Sequence, residues 1–600
     1  MTPEIRYTIT PHNPAAHLFR IACNVARPDP EGQSFYLPAW IPGSYMIREF
    51  AKNIVTLSAH SEGEPVRLEK LDKHTWRTAP LPAGSPLTVE YEVYAWDLSV
   101  RTAHLDQTHG FFNGTSVFLG VVGQEEKPCL VNIQPPEGAP YHAWQVATAL
   151  QPAEAEEGAA PELGFGLYRA ENYDELIDHP VEMGTFTHAR FEAGGTQFDV
   201  MITGRHDCDL PRLTADLEKI CAWQIEFFGK PAPVDRYLFL TMIVGNGYGG
   251  LEHRASTALL ASRKDLPYPG MKTQTKDYRD FLGLCSHELF HTWNVKRIKP
   301  AAFTPYDLRT ENYTQLLWAF EGITSYYDDL ALVRCGVIQP DDYLELLSET
   351  ISRVLRGTGR LKQSVAESSF DAWTKFYRQD ENASNAIVSY YAKGALVALA
   401  LDLQLRSASH GKLSLDDVMR ALWARHGTTG VGVEEEGIFE LVEELARDAI
   451  SAEEGERIAN WLKHAVHDTT DLPLASLLAP FGVEYQTQAA STAPGLRVRM
   501  APGAEPKIAV AYENGAAQNA GLSAGDVLVA FDGIQVTGTN LNAMLERRQA
   551  GDTIRIHAFR RDELMEFDVV LDAPPRNVVK LSFQTHDAAH TALRNGWLGR

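Results

Sequence analysis

The stretch SHELFHTWNVKRI, residues 286–298, holds two histidines four positions apart, with a glutamate directly after the first. On an α-helix, residues four apart lie on one face, so His287 and His291 can point at one metal ion. Glu288 lies one position further round the helix, where its carboxylate can act on a water molecule near that ion. The pattern predicts a zinc site with its own general base. The alternative is a partly buried helix that carries two ordinary histidines.

A catalytic zinc ion needs a third protein ligand and an open coordination position. Two glutamates follow on or near the next predicted helix, Glu311 in TENYTQ and Glu321 in LWAFEGITSYYDD. Glu311 stands at the predicted start of that helix, where an acidic residue is often only a favourable partner of the helix dipole. Glu321 lies within an apolar run, where a buried carboxylate costs free energy that a metal would offset. We therefore predict His287, His291 and Glu321 as the metal ligands.

Composition limits the classes of protein to which this chain can belong. Its 600 residues predict about three or four domains. A net charge of −23 argues against a general nucleic-acid binder, which needs clustered Lys and Arg. The six cysteines are scattered without a CxxC pair, and the N-terminal sequence has no signal-peptide pattern. These two features lead us to expect a cytoplasmic protein. No run of about eighteen apolar residues occurs, so no membrane span is predicted.

Three zones with different patterns follow one another along the chain. Residues 1–168 contain short strand-like stretches bounded by turn residues, which predicts a β-sandwich-like domain. Residues 169–465 combine strands with long amphipathic helices, which predicts an α/β catalytic domain with a helical lobe. Residues 466–600 contain strands, glycine-rich turns and one short helix, followed by an unassigned tail after residue 577. The expected fold class is therefore multidomain α+β.

The stretch GNGYGGLEHRAS, residues 245–256, follows the predicted strand RYLFLTMIV and has two interpretations. Its glycines match the GxGxxG dinucleotide fingerprint, but neither a convincing crossover helix nor an acidic strand end follows. The interpretation that we favour is a flat glycine strand along which a peptide lies through main-chain hydrogen bonds. Gly249 and Gly250 are then predicted to bind substrate.

HELFHTW followed by WAFEGITSYY resembles the gluzincin metallopeptidases, which include the aminopeptidase N type. The interval between the two motifs is longer than in that type, and is similar to the glycyl aminopeptidase family that carries a PDZ domain. PAWIPGSYMIREF near the start and ENYDELIDHPVE also fit that family. The resemblance covers nearly the whole chain. It implies a thermolysin-like catalytic domain that holds one zinc ion per chain.

The resemblance also implies roles for residues outside the histidine motif. GGLEH looks like the GxMEN motif, whose glutamate binds the free α-amino group of the substrate, so Glu252 becomes the amine anchor. His253 stands where relatives usually have Asn, which leaves its role open. SYYAKG is similar to the YxKG element, whose tyrosine hydroxyl donates to the oxyanion, so Tyr391 is the candidate. No site is assigned to the basic cluster Lys296, Arg297 and Lys299.

ENGAAQNAGLSAGDVLVAFDGIQV, residues 513–536, resembles the bacterial PDZ signature, with a predicted domain core at about 493–575. A PDZ domain binds an extended chain, often a C-terminus, along the edge of a strand. The module could recruit substrate, bind a peptide partner or pack against the peptidase.

Together these features predict a zinc-dependent aminopeptidase that acts on peptides with a free N-terminus. Glu288 is the general base, Tyr391 stabilises the oxyanion and Glu252 binds the N-terminal amine. The resemblance implies a preference for glycine or alanine at the N-terminus. Two other classes remain open, a PDZ-assisted zinc endopeptidase and a peptide-binding scaffold without turnover.

Overall fold

The computed structural model describes residues 4–584 and 588–599. The chain forms two units, and each unit draws on separated segments of the sequence. The first comprises the described residues up to Asn312, together with Cys335–Val337 and Arg420–Val433. The second comprises Tyr313–Arg334, Ile338–Met419 and the described residues from Glu434 onward.

The first part of the first unit is built mainly from β-strands. In an eight-stranded sheet, Ile5–Asn13 pairs antiparallel with Leu18–Val25 and parallel with Cys129–Ile133. Buried and more exposed residues alternate along Ile5–Asn13, because successive side chains of a strand point to opposite faces. Two four-stranded sheets accompany it. The remaining elements of this part are the strands Ser34–Tyr36, Ile54–Ser61, Glu64–Val66, Leu68–Lys70, Thr75–Thr78, Leu87–Tyr94, Ala103–Leu105, His109–Phe112, Gly120–Val121, Gln145–Ala147, Gln151–Pro152, Gly166–Ala170 and Val181–Gly184, and the helices Gly114–Val117 and Tyr173–Ile177.

A five-stranded sheet forms the second part of the first unit. Its three inner strands are mutually parallel and mostly buried, as their continuous apolar sequences predict, and its two edge strands are antiparallel to their neighbours. Across the sheet the strands are Thr187–Ala193, Thr196–Thr203, Arg236–Val244, Ser256–Ser262 and, at the edge, Tyr248–Glu252. The α-helices of this part are Leu210–Phe228 and Lys276–Phe290.

Helices dominate the second unit up to Leu478. The helix Ala392–Ala408 is buried from Ala392 to Arg406, which fits a sequence that is apolar on most sides. The other described helices are Leu317–Phe320, Gly322–Arg334, Pro340–Arg356, Val365–Phe370, Ala383–Ala386, Gly437–Ala449, Ala452–His467 and Leu474–Leu478. The helix Leu415–Leu422 and the π-helical turn Trp423–Gly427 precede Gly437–Ala449 in the chain.

A small β-module, residues 495–572, occupies the last part of the second unit. The backbones of Gly495 and Asp572 pair with each other through hydrogen bonds of 3.0 and 3.2 Å, so the module begins and ends at one place. Buried apolar side chains such as Leu528 and Ile556 form its core. Its elements are the strands Val498–Met500, Ile508–Ala511, Val527–Phe531, Ile534–Gln535, Thr553–Arg560 and Glu563–Val570, and the helices Ala516–Asn519 and Leu541–Leu545.

The described residues after 577, in the tail that the sequence leaves unassigned, pack against the helical region. The strand Val578–Phe583 pairs antiparallel with Val483–Gln488. The helix Ala588–Leu598 contains Trp597, which is fully buried and donates through its indole N–H to the hydroxyl of Tyr326 at 3.0 Å. This tail therefore belongs to the helical core and not to the β-module.

The predicted combination of an N-terminal β-rich region, a mixed α/β region and a helical region is confirmed. The β-module has two short helices, so the prediction of one helix there is wrong. Glu311 lies in a loop before the helix that begins at Leu317, and not at a helix start. The boundaries at 168/169 and 465/466 stay predictions, although the strand Gly166–Ala170 pairs with Cys129–Ile133 across the first of them. Within the described residues, no helix is both long and apolar enough to cross a membrane.

Candidate active site

The helix Lys276–Phe290 presents the two histidines at its C-terminal end. Thr275 caps its start, since the threonine hydroxyl accepts from the backbone N–H of Tyr278 at 3.1 Å. His287 and Glu288 lie in the last turn, and His291 is the C-cap with a helical φ of −61°. The side-chain amide of Gln224 donates to the carbonyl of Ser286 at 2.8 Å and holds this turn to the neighbouring helix. The helix thus fixes both rings on one face.

The geometry of the two imidazoles fits a metal ion. Their Nε2 atoms are 3.0 Å apart, so both can bind one metal ion. Nδ1 of His291 lies 2.7 Å from the carbonyl oxygen of Asn294, to which it donates when it carries the proton. In that tautomer the lone pair of Nε2 can bind a metal, because the hydrogen bond at Nδ1 fixes which ring nitrogen carries the proton. The residues present therefore suit zinc or a similar ion.

Glu288 is buried, with 4% of its surface exposed, and its carboxylate lies against the edge strand Tyr248–Glu252. A Cβ atom added at Gly250 would lie 2.5 Å from the carboxylate carbon of Glu288. Only glycine therefore leaves room for the carboxylate at this point. Gly249 has no such neighbour, because its nearest contact would be the Arg101 guanidinium at 3.7 Å. The glycines of the strand thus have different surroundings.

Glu252 ends the same edge strand and is also buried. Gly43, in the segment PAWIPGSYM, packs directly on its carboxylate, and a Cβ there would lie 2.5 to 2.6 Å from the carboxylate atoms. Gly43 also has a φ of +92°, a conformation that favours glycine. One carboxylate oxygen of Glu252, one of Glu288 and one ring nitrogen of His291 lie within 4.8 Å of one another. The structure therefore brings these three predicted site residues together.

His253, whose role the sequence leaves open, belongs to an ionic network behind the edge strand. Its Nδ1 lies 3.1 Å from Asp178, whose carboxylate also accepts from Lys296 at 2.8 Å and from Arg254 at 3.0 Å. Burial alone would raise the pKa of Asp178, but the charge of Lys296 and the hydrogen bond from His253 hold it well below its usual range. Burial lowers the pKa of His253. The network therefore fixes the end of the strand that carries Glu252.

The basic cluster after the histidine helix is engaged within the first unit. Lys296 pairs with Asp178, and Arg297 donates to three backbone carbonyls at 2.8 to 3.2 Å. Lys299 lies over the ring of Tyr306, 4.7 Å from its centroid. These contacts tie the cluster to its neighbours within the first unit.

Sequence reasoning missed Arg101, Gly43 and Asp178. The Arg101 guanidinium reaches the carbonyl oxygen of Gly250 at 3.4 Å, beside the strand that is predicted to bind substrate. No local motif identifies Arg101. Gly43 and Asp178 lie within PAWIPGSYMIREF and ENYDELIDHPVE, so the resemblance marked their segments but not the residues.

Glu321 and Tyr391, in the second unit, lie near a close crossing of two helices. Glu321 is 1% exposed at the break between Leu317–Phe320 and Gly322–Arg334. A Cβ at Gly322 would lie 2.6 Å from the backbone of Gly394, so the two helices meet backbone to backbone. Both glycines come from the motifs WAFEG and YAKG. The crossing explains why each motif ends in glycine.

Tyr391 immediately precedes the helix Ala392–Ala408, and its hydroxyl lies 3.3 Å from that of Tyr377. Burial and then the charge of Glu321 raise the pKa of Tyr391 well above its usual value. The hydroxyl therefore keeps its proton at neutral pH and can serve as a hydrogen-bond donor. Tyr390 is fully buried beside it and Tyr391 is not, which favours Tyr391 as the functional member of the pair.

Comparisons with known proteins identify the family of this chain. The M61 peptidase N-terminal domain matches residues 6–185, and the M61 glycyl aminopeptidase domain matches residues 280–397. A solved aminopeptidase N family protein from Idiomarina loihiensis is 44% identical, with a TM-score of 0.93 over 99% of this chain and 100% of that one. The chain belongs to the M61 glycyl aminopeptidase family. The predicted enzyme class, a metallopeptidase, is confirmed by this membership.

More distant similarity extends beyond the M61 family. An M1 zinc metallopeptidase from Deinococcus radiodurans, solved in a mutant form bound to a Tyr-Ser-Ala substrate, is 14% identical with a TM-score of 0.47. That match covers 78% of this chain and 94% of the other. The same enzyme without the mutation gives 13% identity and the same TM-score of 0.47. No curated protein matched the chain.

Proposed function

We propose that this M61 protein is a zinc aminopeptidase in which His287, His291 and Glu321 hold one zinc ion. The close Nε2 atoms of the two histidines, the backbone partner of His291 and the buried carboxylate of Glu321 support this ligand set. When bound, the ion supplies Lewis acidity, which lowers the pKa of a water molecule and polarises the scissile carbonyl group.

Glu288 acts as the general base and then as the general acid. Its carboxylate accepts a proton from the attacking water and passes it to the nitrogen of the leaving amine. Tyr391, which keeps its proton, donates a hydrogen bond to the oxygen that becomes negative as the tetrahedral intermediate forms. Gly249 and Gly250 hold the peptide backbone along the open strand edge, and Arg101 faces the same strand.

The observation that carries the aminopeptidase proposal is the proximity of Glu252 to Glu288 and His291, all within 4.8 Å. In a peptide, the α-amino nitrogen and the first carbonyl carbon are only about 2.5 Å apart, and each further residue adds about 3.5 Å. An ammonium group bound to Glu252 therefore places the first peptide bond beside the general base. The second bond would lie beyond it, so we infer that one residue is released at a time.

The position of Gly43 also supports the release of one residue at a time. Its backbone fills the space next to the Glu252 carboxylate, so there is little room for a longer substrate chain there. An endopeptidase needs an open path on both sides of the scissile bond. The family description, glycyl aminopeptidase, supports a preference for glycine or alanine as the first residue.

The test compares hydrolysis of an alanyl anilide and its N-acetylated twin by the wild type, Glu252→Gln and Glu288→Gln. We expect chelator-sensitive cleavage of the free amine only. Loss of a buried charge pair costs about 2–5 kcal/mol, so Glu252→Gln should lower kcat/KM about 10²- to 10³-fold. Glu288→Gln should lower kcat about 10²- to 10⁴-fold and keep the zinc content.

The same assay separates the alternatives. Equal cleavage of the acetylated twin would contradict the amine anchor and favour the endopeptidase. Stoichiometric zinc without cleavage of anilides or longer free-amine peptides would favour the binding scaffold.

The β-module supports a second proposal, that it binds an extended peptide as a PDZ domain does. A groove of about 570 Å³ is lined by Gly495–Met500 and by Leu541 and Leu545 of the second short helix. An open strand edge beside a helix suits main-chain pairing with a peptide C-terminus. Titration with C-terminal peptides and their amidated twins tests this role. Binding that does not depend on the free carboxylate would contradict it.

A further inference from the structure

Two buried histidines and an aspartate lie together outside the peptidase site, in the stretch AHLDQTHGFF. The strands Ala103–Leu105 and His109–Phe112 form a hairpin, and Asp106 lies in its turn. His104 and His109 are 4% and 2% exposed. One nitrogen of each ring and one carboxylate oxygen of Asp106 lie within 4.8 Å of one another. Ligand atoms about 2.1 Å from one tetrahedral metal ion lie about 3.4 Å apart, which is within this limit.

His109 is arranged as a metal-binding histidine usually is. Its Nδ1 lies 3.2 Å from Glu182, and Glu182 also accepts from the hydroxyl of Thr203 at 2.9 Å. A carboxylate on one ring nitrogen orients the ring and makes the other nitrogen more basic. That other atom, Nε2, is buried and has no hydrogen-bond partner among the described residues. A buried polar atom without a partner costs free energy that a bound ion would offset.

His104 is held in place from both sides. Its ring stacks on His109 with centroids 4.9 Å apart, and on Trp96, also at 4.9 Å. Its Nε2 lies 3.3 Å from Asp106, so an ion between them would replace a weak direct contact. The His287–His291 pair has the same kind of direct contact between ligand atoms. A cavity of about 20 Å³, lined in part by His104, His109 and Glu182, adjoins the two rings and has room for about one water molecule.

We propose that His104, Asp106 and His109 bind a divalent transition-metal ion of the zinc class, at a site separate from the peptidase centre. Two imidazoles and one carboxylate select zinc, nickel or copper over calcium or magnesium. The burial of the ligands and the small cavity assign a structural role to the ion. It closes the hairpin three positions after Arg101, whose guanidinium reaches Gly250, and so stabilises this side of the substrate strand.

The test uses the full chain with His287→Ala and His291→Ala, which removes the peptidase ion site. After treatment with a chelator, this double variant is dialysed against Zn²⁺ and its metal content is measured. We expect one tightly bound ion per chain, and two in the wild type. Co²⁺ in place of Zn²⁺ should give visible absorption bands of a site with nitrogen and oxygen ligands.

Adding His109→Ala to the double variant should remove the remaining ion, and adding His142→Ala, an exposed histidine of the same region, should not. If the double variant binds no ion, the proposal is wrong, and this result does not depend on whether the triple variant folds. If the double variant still binds an ion after His104→Ala and His109→Ala are both added to it, the proposal is also wrong. Neither outcome bears on the aminopeptidase proposal, which rests on turnover and on the His287–His291 site.

Discussion

Single residues decide how closely the proposed catalytic groups approach the glycine strand Tyr248–Glu252. Gly250 is the clearest case, because the carboxylate of Glu288 occupies the position of its missing side chain. The sequence predicted a flat glycine strand here, but it could not show which glycine contacts the base. That contact depends on the packing of a helix about forty residues later in the chain.

Gly250→Ala should displace the Glu288 carboxylate and lower kcat for an alanyl anilide about 10²-fold or more, since a small displacement of a catalytic group has effects of this size. Gly245→Ala is the matched control, because a Cβ there meets nothing within 4 Å. Steady-state kinetics and metal content of both variants check the prediction. Equal activity in the two variants would contradict the role of the contact.

Asp178 makes stability depend on pH. Its pKa is lowered in the folded protein, so it stabilises the fold above the unfolded carboxyl pKa of about 4, and this contribution is lost as the pH falls further. Asp178→Asn leaves Lys296 buried without its charge partner, so the free energy of unfolding at pH 7 should fall by about 3 kcal/mol. The variant should also lose less stability than the wild type below pH 4.

Asp174→Asn serves as the control for Asp178. Asp174 pairs with the same Arg254 but its side chain is 53% exposed, so its loss should cost less than about 1 kcal/mol. Urea unfolding at pH 7 and at pH 3.5 measures both differences. If the two variants lose a comparable free energy of unfolding at pH 7, the buried pair of Asp178 and Lys296 stabilises the fold no more than the exposed pair does.

At the scale of elements, the crossing of the helices that carry Glu321 and Tyr391 depends on two glycines. Gly394→Ala would place a methyl group 2.8 Å from the carbonyl oxygen of Trp318, and backbone cannot yield as a flexible side chain can. Overpacking of this kind costs about 1–3 kcal/mol. We therefore expect a lower melting temperature and, because Glu321 and Tyr391 flank the crossing, a lower kcat.

Zinc affinity distinguishes a local effect from general destabilisation in Gly394→Ala. If the helices separate at the crossing, the variant should lose zinc at lower chelator concentration than the wild type, at a temperature where both are folded. Unchanged zinc affinity and kcat in a folded variant would contradict the prediction.

Sequence patterns predicted the elements well and their ends less well. The HExxH turn, the glycine strand and the helices after residue 313 follow from local periodicity and the motifs in them. The helix that carries YAKG starts only at Ala392, because the extended backbone of Ile387 separates it from the short helix Ala383–Ala386. Contacts such as Gly43 with Glu252, or Arg101 with Gly250, join segments more than a hundred residues apart. No local pattern can predict them.

At the scale of the whole molecule, the β-module can be removed without breaking the helical region. Gly495 and Asp572 are paired, so their Cα atoms lie about 5 Å apart and a short Gly/Ser linker can join them. We expect this internal deletion to keep hydrolysis of alanyl anilide within about threefold of the wild type. Truncation after residue 494 should instead destabilise the protein, because it also removes the buried Trp597 and the strand Val578–Phe583.

Thermal melts and anilide kinetics of the two shortened chains test this expectation. Loss of activity in the internal deletion, with an unchanged melting temperature, would show that the module takes part in turnover of small substrates. The interactions that the deletion would remove include the hydrogen bonds and the ion pair that Asn385, Thr358 and Lys362 make with the module.

The first unit cannot be completed early during synthesis on the ribosome, because its segments are far apart in the sequence. All of its described strands precede Asn312, yet it also includes Arg420–Val433. The backbone of Val433 bonds with Lys299 and Ala301 at 2.7 and 2.8 Å, and Trp423 packs on Phe228. A nascent chain therefore needs more than a hundred further residues before Phe228, Lys299 and Ala301 can form these contacts. Until then the apolar surface of the first unit stays exposed, and chaperones can bind it. We expect fragments that end near residue 312 to remain bound to chaperones, because they lack Arg420–Val433.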